Sequence, residues 1–210
     1  PPASGMFIGG YTVIERHMPD EARARAPDGR EVTLALGPAA ALAVEADALR
    51  AVRGRVSAPE VIAAGEDERV GAYLVLSDVP SRPAPLAESA PLGPVAVAEL
   101  LDSLLGAIEA RERAGIDWQP DGGELHVDRG GLGRVAVLRM RSTARLGAGA
   151  RVDARSVVEG IGAWLGPSAA LLPPELLHML FPHGARSRDE GRTVDLVRAD
   201  LDRATERLAV

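Results

Sequence analysis

Arg30-Glu31-Val32-Thr33-Leu34-Ala35-Leu36, followed after Gly37-Pro38 by Ala39-Ala40-Ala41-Leu42-Ala43-Val44-Glu45-Ala46-Asp47-Ala48-Leu49, is the stretch on which the fold turns. Its first half is a short β-prone run. Its second half, continuing to Arg53, sets Leu42, Val44, Leu49 and Val52 among strong helix formers, with Gly54 placed to stop the helix. A strand feeding one helix is the local unit to which the rest of the chain is fitted.

Upstream, Tyr11-Thr12-Val13-Ile14-Glu15-Arg16 is a second β-prone run, and the charged stretch from His17 to Arg30 reads as a polar connection between two strands. Downstream, Val61 to Ala64 and Gly71 to Leu76 are two more apolar runs, with Gly65-Glu66-Asp67-Glu68-Arg69 as the turn between them. After Val79-Pro80-Ser81-Arg82-Pro83-Ala84-Pro85 the pattern changes from strand to helix, which sets a lobe boundary near residue 80. Val97 to Gly115 carries one stripe of Leu101, Leu104, Leu105 and Ile108. Leu125-His126-Val127 and Arg134 to Leu138 form a small hairpin around Asp128-Arg129-Gly130-Gly131. Val152 to Leu165, Pro174 to Leu180 and Thr193 to Leu208 read as helices. The class is α+β: residues 1–9 a linker, 10–80 a small β-rich lobe with one helix, and 81–210 a reduced helical lobe.

Composition excludes much chemistry. All 24 basic residues are arginine, and there is no lysine, asparagine or cysteine. A Schiff-base amine, a phosphate-gripping lysine, a thiol nucleophile, a disulfide and a thiolate metal site are therefore closed to the chain. The net charge of −6 argues against a nucleic-acid surface, and six aromatic residues make few stacking platforms. No run of about 18 apolar residues occurs, so no segment is expected to insert in a membrane, and the Pro/Ser/Gly opening reads as a linker remnant of a longer protein. The expected location is the cytoplasm.

In this element order, several segments resemble bacterial serine/threonine protein kinases. Arg30 to Leu36 resembles the strand that ends in the ATP-gripping lysine, with Ala35 at the lysine position, and Glu45 resembles its helical glutamate partner. Tyr73-Leu74-Val75-Leu76 followed by Ser77-Asp78-Val79 resembles the strand into the hinge, with Leu76 at the gatekeeper position. Arg113-Ala114-Gly115-Ile116 resembles the approach to the catalytic loop, but Asp117-Trp118-Gln119-Pro120-Asp121 stands where H-R-D belongs. Val135-Ala136-Val137-Leu138-Arg139-Met140-Arg141 resembles the strand ending in D-F-G, with Arg139 at the metal-binding aspartate. Leu172 to Leu177 and Arg192 to Val197 resemble the closing helices.

Kinase chemistry needs a lysine on the phosphates, metal-holding carboxylate or amide groups and an oriented base. A guanidinium at the metal position repels Mg²⁺, and His17 to Ala26 contains no glycine to let backbone amides approach a phosphate. Only about a dozen residues separate Arg141 from Asp153, too few for a full activation segment. The resemblance thus implies a pseudokinase: not an enzyme, with no catalytic residue, cofactor or metal, acting as a protein-interaction or regulatory module of a larger bacterial protein. Two alternatives stay open. One is a metal-independent nucleotide or small-molecule sensor with an adenine-type pocket at Ala35, Leu76, Asp78 and Val127; the other is a divergent phosphotransferase using Asp117 or Asp121.

A buried Glu45 without its lysine needs a new cation, so either Arg139 or Arg141 turns toward it or Glu45 faces solvent. Glu124, His126 and Asp128 alternate along a strand and read as a solvated face or, on the other reading, metal ligands. Thr143, with Ser142 beside it and Arg139, Arg141 and Arg145 around, is the candidate phosphosite, which would suit a signalling kinase or a phosphothreonine reader as partner.

Overall fold

The computed structural model describes residues 3–79, 84–86, 92–118, 124–127, 135–147, 150, 154–180 and 194–206. Six strands, β1 (Phe7–Ile8), β2 (Tyr11–Met18), β3 (Glu21–Arg25), β4 (Glu31–Leu36), β5 (Val61–Asp67) and β6 (Gly71–Ser77), form one antiparallel sheet in the order β1-β2-β3-β4-β6-β5. Helix α1 (Ala39–Val52) connects β4 to β5 and packs on β6. The remaining strands are short: β7 (Ala84–Pro85), β8 (Ile116–Trp118), β9 (Leu125–Val127), β10 (Val135–Val137) and β11 (Thr143–Arg145). They make a sheet of order β10-β9-β7 and a β11–β8 pair. Helices α2 (Pro94–Arg113), α3 (Ala154–Trp164), α4 (Pro174–Leu180) and α5 (Val194–Glu206), with a 3-10 turn at Gly166–Leu171 before α4, complete the helical part.

Two readings of the sequence change here. The stretch 17–30 is not a plain connection, because Glu21–Arg25 is a full strand whose Ala22 and Ala24 are completely buried while its charged residues alternate to the other side. Alanine carries little β-propensity, so the period-two pattern was masked by charge. Part of the segment read as linker is also strand: Phe7 pairs with Thr12 and Ile8 with Tyr11, and Ile8 is fully buried. The two-residue turn between them is Gly9-Gly10, at φ +55° and +91°, the left-handed pair that a tight hairpin of right-handed twist demands. A Cβ on Gly9 would lie 1.9 Å from the Tyr73 hydroxyl oxygen, so packing as well as torsion requires glycine there.

Helix α2 begins three residues before its expected start because Pro94 occupies a first helical position, where a missing N–H costs nothing. It ends where expected, before Gly115 at φ +67°. Leu100, Leu101, Leu104, Leu105 and Ile108 on its inner side are buried, each side chain favouring the folded state by about 1.5–3 kcal/mol before entropy. They belong to one continuous core that joins α1 and the lower face of the sheet (Ala35, Leu74, Leu76) to β9, β10 and α3 to α5. A second core, Ile8, Val13, Ala22, Ala24, Val32, Leu34 and Val75, lies on the other face of the sheet. The chain between α1 and β5 is tied to the helical part: the Ser57 amide donates to the Val135 carbonyl (3.0 Å), the Val137 amide to the Ser57 carbonyl (2.9 Å), and Ser103 Oγ to the Arg55 carbonyl (3.0 Å).

Of the expected proline-rich boundary, Pro80 to Pro83 lies outside the described residues, and Ala84–Pro85 forms β7 on β9. The hairpin of β9 and β10 is present, with its turn Asp128 to Gly131 outside the described residues. No helix among the described residues is long and apolar enough to cross a membrane.

Candidate functional site

Leu42, Glu45, Ala46 and Leu49 occupy the inward face of α1, three and four residues apart. The helix period therefore forces one carboxylate into the core, where Glu45 is 3% exposed. A charge held there needs a counter-ion and hydrogen bonds. β4 does not supply the counter-ion, since its inward residue at this level is Ala35, fully buried and paired in register with Glu21 of β3 and Leu74 of β6.

The cation comes from the far side of the fold. β10 is three fully apolar, buried residues, and two positions beyond it Arg139 turns back under α1 and is 4% exposed. Arg139 Nε donates to Glu45 Oε1 at 2.6 Å and Nη2 to Oε2 at 2.8 Å, a fork-on-fork pair. The Met140 amide adds a third donor to Glu45 Oε1 at 2.9 Å, and Arg139 Nη1 reaches Glu21 Oε2 at 3.3 Å. Burial works against the guanidinium's charge, but the Glu45 hydrogen bond and charge, with Glu21 and Asp20 behind them, outweigh it and hold its pKa above the ordinary value.

Arg141 takes the outer position. Its Nε donates to Asp20 Oδ2 (3.0 Å), its Nη2 to Glu21 Oε2 (2.6 Å), and Nη2 also lies 3.7 Å from Met18 Sδ. Of the two arginines that the sequence offered to Glu45, Arg139 makes that pair and Arg141 gathers the β2–β3 hairpin. Glu124 anchors the segment from below: Oε1 accepts the Arg141 and Ser142 amides at 2.7 and 3.1 Å, and Oε2 accepts Trp118 Nε1 at 3.0 Å. Arg145 pairs with Asp47 on α1. Thus Arg139 to Arg145 holds α1 at two carboxylates and the hairpin at two more.

The solvated-face reading of Glu124, His126 and Asp128 is corrected for its first member. Glu124 is 4% exposed and engaged with Trp118 and two amides, and His126 Nδ1 lies 3.2 Å from the Glu124 carbonyl. Asp128 lies outside the described residues, as does Asp121. The four positions read as an adenine pocket differ in exposure. Ala35, Leu76 and Val127 sit in the continuous core, 0, 1 and 5% exposed, whereas Asp78 is at the surface, its carboxylate accepting the Val79 amide. Thr143 is half-buried and its hydroxyl donates to the Met140 carbonyl at 2.9 Å, while Ser142 is exposed.

One buried cation was not singled out from the sequence. Arg111, in the last turn of α2, is fully buried, its guanidinium carbon 4.3 Å from the centre of the Trp118 ring. Among the described residues none of its three nitrogens has a hydrogen-bond partner, and burial lowers its pKa to about 9, with the charges of Asp117 and Glu124 pulling the other way. Its signal was present, because Arg111 continues the Leu104–Ile108 stripe at the next helical step.

No protein-family model matches the chain, and no curated protein does. Solved structures do. The chain is similar to vaccinia related kinase 3, with a TM-score of 0.65 at 13% identity over 100% of this chain and 93% of that one. It is also similar to the Cydia pomonella granulovirus kinase PK-1, with a TM-score of 0.52 at 12% identity over 66% of this chain. It spans 56% of that viral kinase's length. The fold is protein-kinase-like, a small sheet-rich lobe with one helix above a reduced helical lobe.

Proposed function

We propose that this chain is a catalytically silent kinase-fold module, a pseudokinase domain of a larger bacterial protein, that works by engaging other proteins in the cytoplasm. The observation that carries the reading is the occupancy of the inter-lobe site by the protein's own charges. Under the kinase resemblance, the place of the metal ligand is taken by the Arg139 guanidinium, and Glu45, freed of a lysine, is bound to it on both oxygens. Both groups that would handle phosphate and metal are thus consumed in a structural pair.

Electrostatics adds to this. Arg139 and Arg141 face Asp20, Glu21 and Glu45, two guanidiniums among three carboxylates, a field that disfavours a triphosphate. A divalent cation would have to displace Arg139 to reach the Glu45 oxygens. The burial of Ala35 and Leu76 weighs against a nucleotide sensor, which needs an apolar slot open to a base. A divergent phosphotransferase is disfavoured on the same electrostatic ground.

Protein partners fit the remaining surface chemistry better than nucleic acid does, given the net charge of −6. A signalling kinase or a phosphothreonine reader remains the kind of partner that Thr143 would serve. The test is a thermal-shift titration with ATP, with and without Mg²⁺, since a ligand that binds only the native state must raise Tm. No shift in either series is the expected result. A metal-dependent shift accompanied by phosphate release refutes the reading, and a metal-independent shift replaces it with the sensor.

A further inference from the structure

We propose that the tip of the β2–β3 hairpin is a salt-sensitive lid, closed over the buried Arg139–Glu45 pair by Arg141. The geometry separates the ionic network into two layers. In the inner layer Arg139 and Glu45 are each 4% exposed at the side chain and share two short hydrogen bonds. In the outer layer Arg141 is 34% exposed, Asp20 42% and Glu21 20%. The outer contacts sit in water and are screened by salt; the inner ones are not.

The hairpin tip depends on that outer layer more than its neighbours do on theirs. The β2–β3 pairing loses register between Val13 and Glu15 and again between Arg16 and Met18, so the ladder is weakest where the strand approaches its turn. Met18 is an exposed apolar residue, and among the described residues the tip meets the rest of the molecule through the Leu36 amide on the Asp20 carbonyl (2.8 Å), the 3.3 Å contact of Arg139 with Glu21, and the three exposed contacts of Arg141. Arg141 lies between Met18 Sδ, Asp20 and Glu21, and its own backbone is fixed by Glu124. A fixed guanidinium enclosed by a weakly registered turn is the arrangement of a catch. When it opens, Arg139 and Glu45 keep each other, and the route to them is uncovered.

The experiment is hydrogen exchange followed by mass spectrometry on the intact chain, comparing peptides that cover residues 16–23 with those covering β5 and β6. In about 1 M NaCl, where the screening length falls to about 3 Å, exchange at residues 16–23 should rise about tenfold over low salt. Exchange at β5 and β6, and of the Met140 amide held by Glu45, should not change. Arg141→Gln should raise exchange at the tip at low salt and remove most of its salt dependence, and Asp20→Asn, which leaves the Arg141–Glu21 pair in place, should do both in part. Because they cut the same contact, the double variant should exchange no faster than Arg141→Gln alone. Salt-independent exchange in the wild-type chain overturns the proposal, as do effects that multiply in the double variant. A rise that spreads equally to β5, β6 and Met140 also overturns it, because the whole sheet would then be opening rather than its tip.

Discussion

Removing one partner of the Arg139–Glu45 pair should cost far more than removing both. Glu45→Leu leaves a guanidinium in the core with only the 3.3 Å bond to Glu21, and it orphans the Met140 amide. Arg139→Met leaves a carboxylate that is 3% exposed with one amide donor. Breaking a buried pair in this way costs about 3–5 kcal/mol. For a chain of this size that corresponds to a fall in Tm of about 6–20 °C for either single variant. The double variant Arg139→Met/Glu45→Leu is different. Replacing a buried pair by apolar groups ranges from neutral to a gain of about 1–4 kcal/mol. Against this stands about 1–3 kcal/mol for the Met140 amide left without an acceptor. The net is close to zero, so the double variant should lie within about 2 kcal/mol of wild type, and the coupling energy should be at least about 4 kcal/mol. Urea unfolding of all four chains at neutral pH, followed by circular dichroism, measures it. If a single variant fails to fold, recovery of folding in the double variant carries the same information. Single variants that cost less than about 1 kcal/mol, as a surface pair would, refute the reasoning, and so does a double variant whose loss equals the sum.

Arg111→Met should stabilise the protein by about 1–3 kcal/mol in the same urea assay, because the guanidinium it removes is buried without a hydrogen bond among the described residues and the lost contact with Trp118 is worth about 2 kcal/mol at most. The pH dependence has a definite sign. With a folded-state pKa of about 9, well below that of the unfolded chain, both states are protonated below pH 9 and the penalty is constant; as pH rises from there the unfolded chain holds the extra proton, so wild-type stability gains on the variant. A destabilised Arg111→Met chain, or a difference that widens above pH 9, counts against the assignment. Gly9→Ala should lower Tm by more than Gly10→Ala. Both positions have positive φ, but only at Gly9 does the new methyl meet the Tyr73 hydroxyl, while nothing lies within 4 Å of a Cβ at Gly10. Equal losses would show that Tyr73 does not fix the hairpin.

The parts of the fold that could be read from sequence are those where one periodicity dominates. β4, α1, α2 and the apolar strand β10 announce themselves by apolar spacing, whereas the sequence left Glu45 open between a buried pair and a solvent-facing place, which the structure decides by setting it between Leu42 and Leu49 on the buried helical face. β3 escaped because its buried residues are alanines set among charges. The outer layer of the site escaped for a deeper reason. Asp20 and Glu21 lie about 120 residues from the arginines they bind, in a turn whose polar composition is what any turn would show. Only the register of the sheet, which sets Glu21 opposite Ala35, brings them over Arg139. Glu124 reads as an exposed strand residue because the alternation runs through it, yet it stands just outside β9 and turns inward to Trp118.

The position of the cation also makes the Arg139–Glu45 arrangement hard to change one residue at a time. Under the kinase resemblance a working site would carry lysine at 35 and an acid at 139. Ala35→Lys alone would add a second cation beside a Glu45 whose two oxygens already accept three hydrogen bonds, in a spot with no solvent exposure. Arg139→Asp alone would set a new carboxylate against Glu45 and Glu21 with their buried counter-ion gone. Each single step strands like charges in the interior, at a cost of several kcal/mol against a total stability of about 5–15 kcal/mol. The paired exchange does not restore neutrality either, because the lysine adds one positive charge while arginine to aspartate removes two, so charge balance as well as packing holds α1 on Arg139.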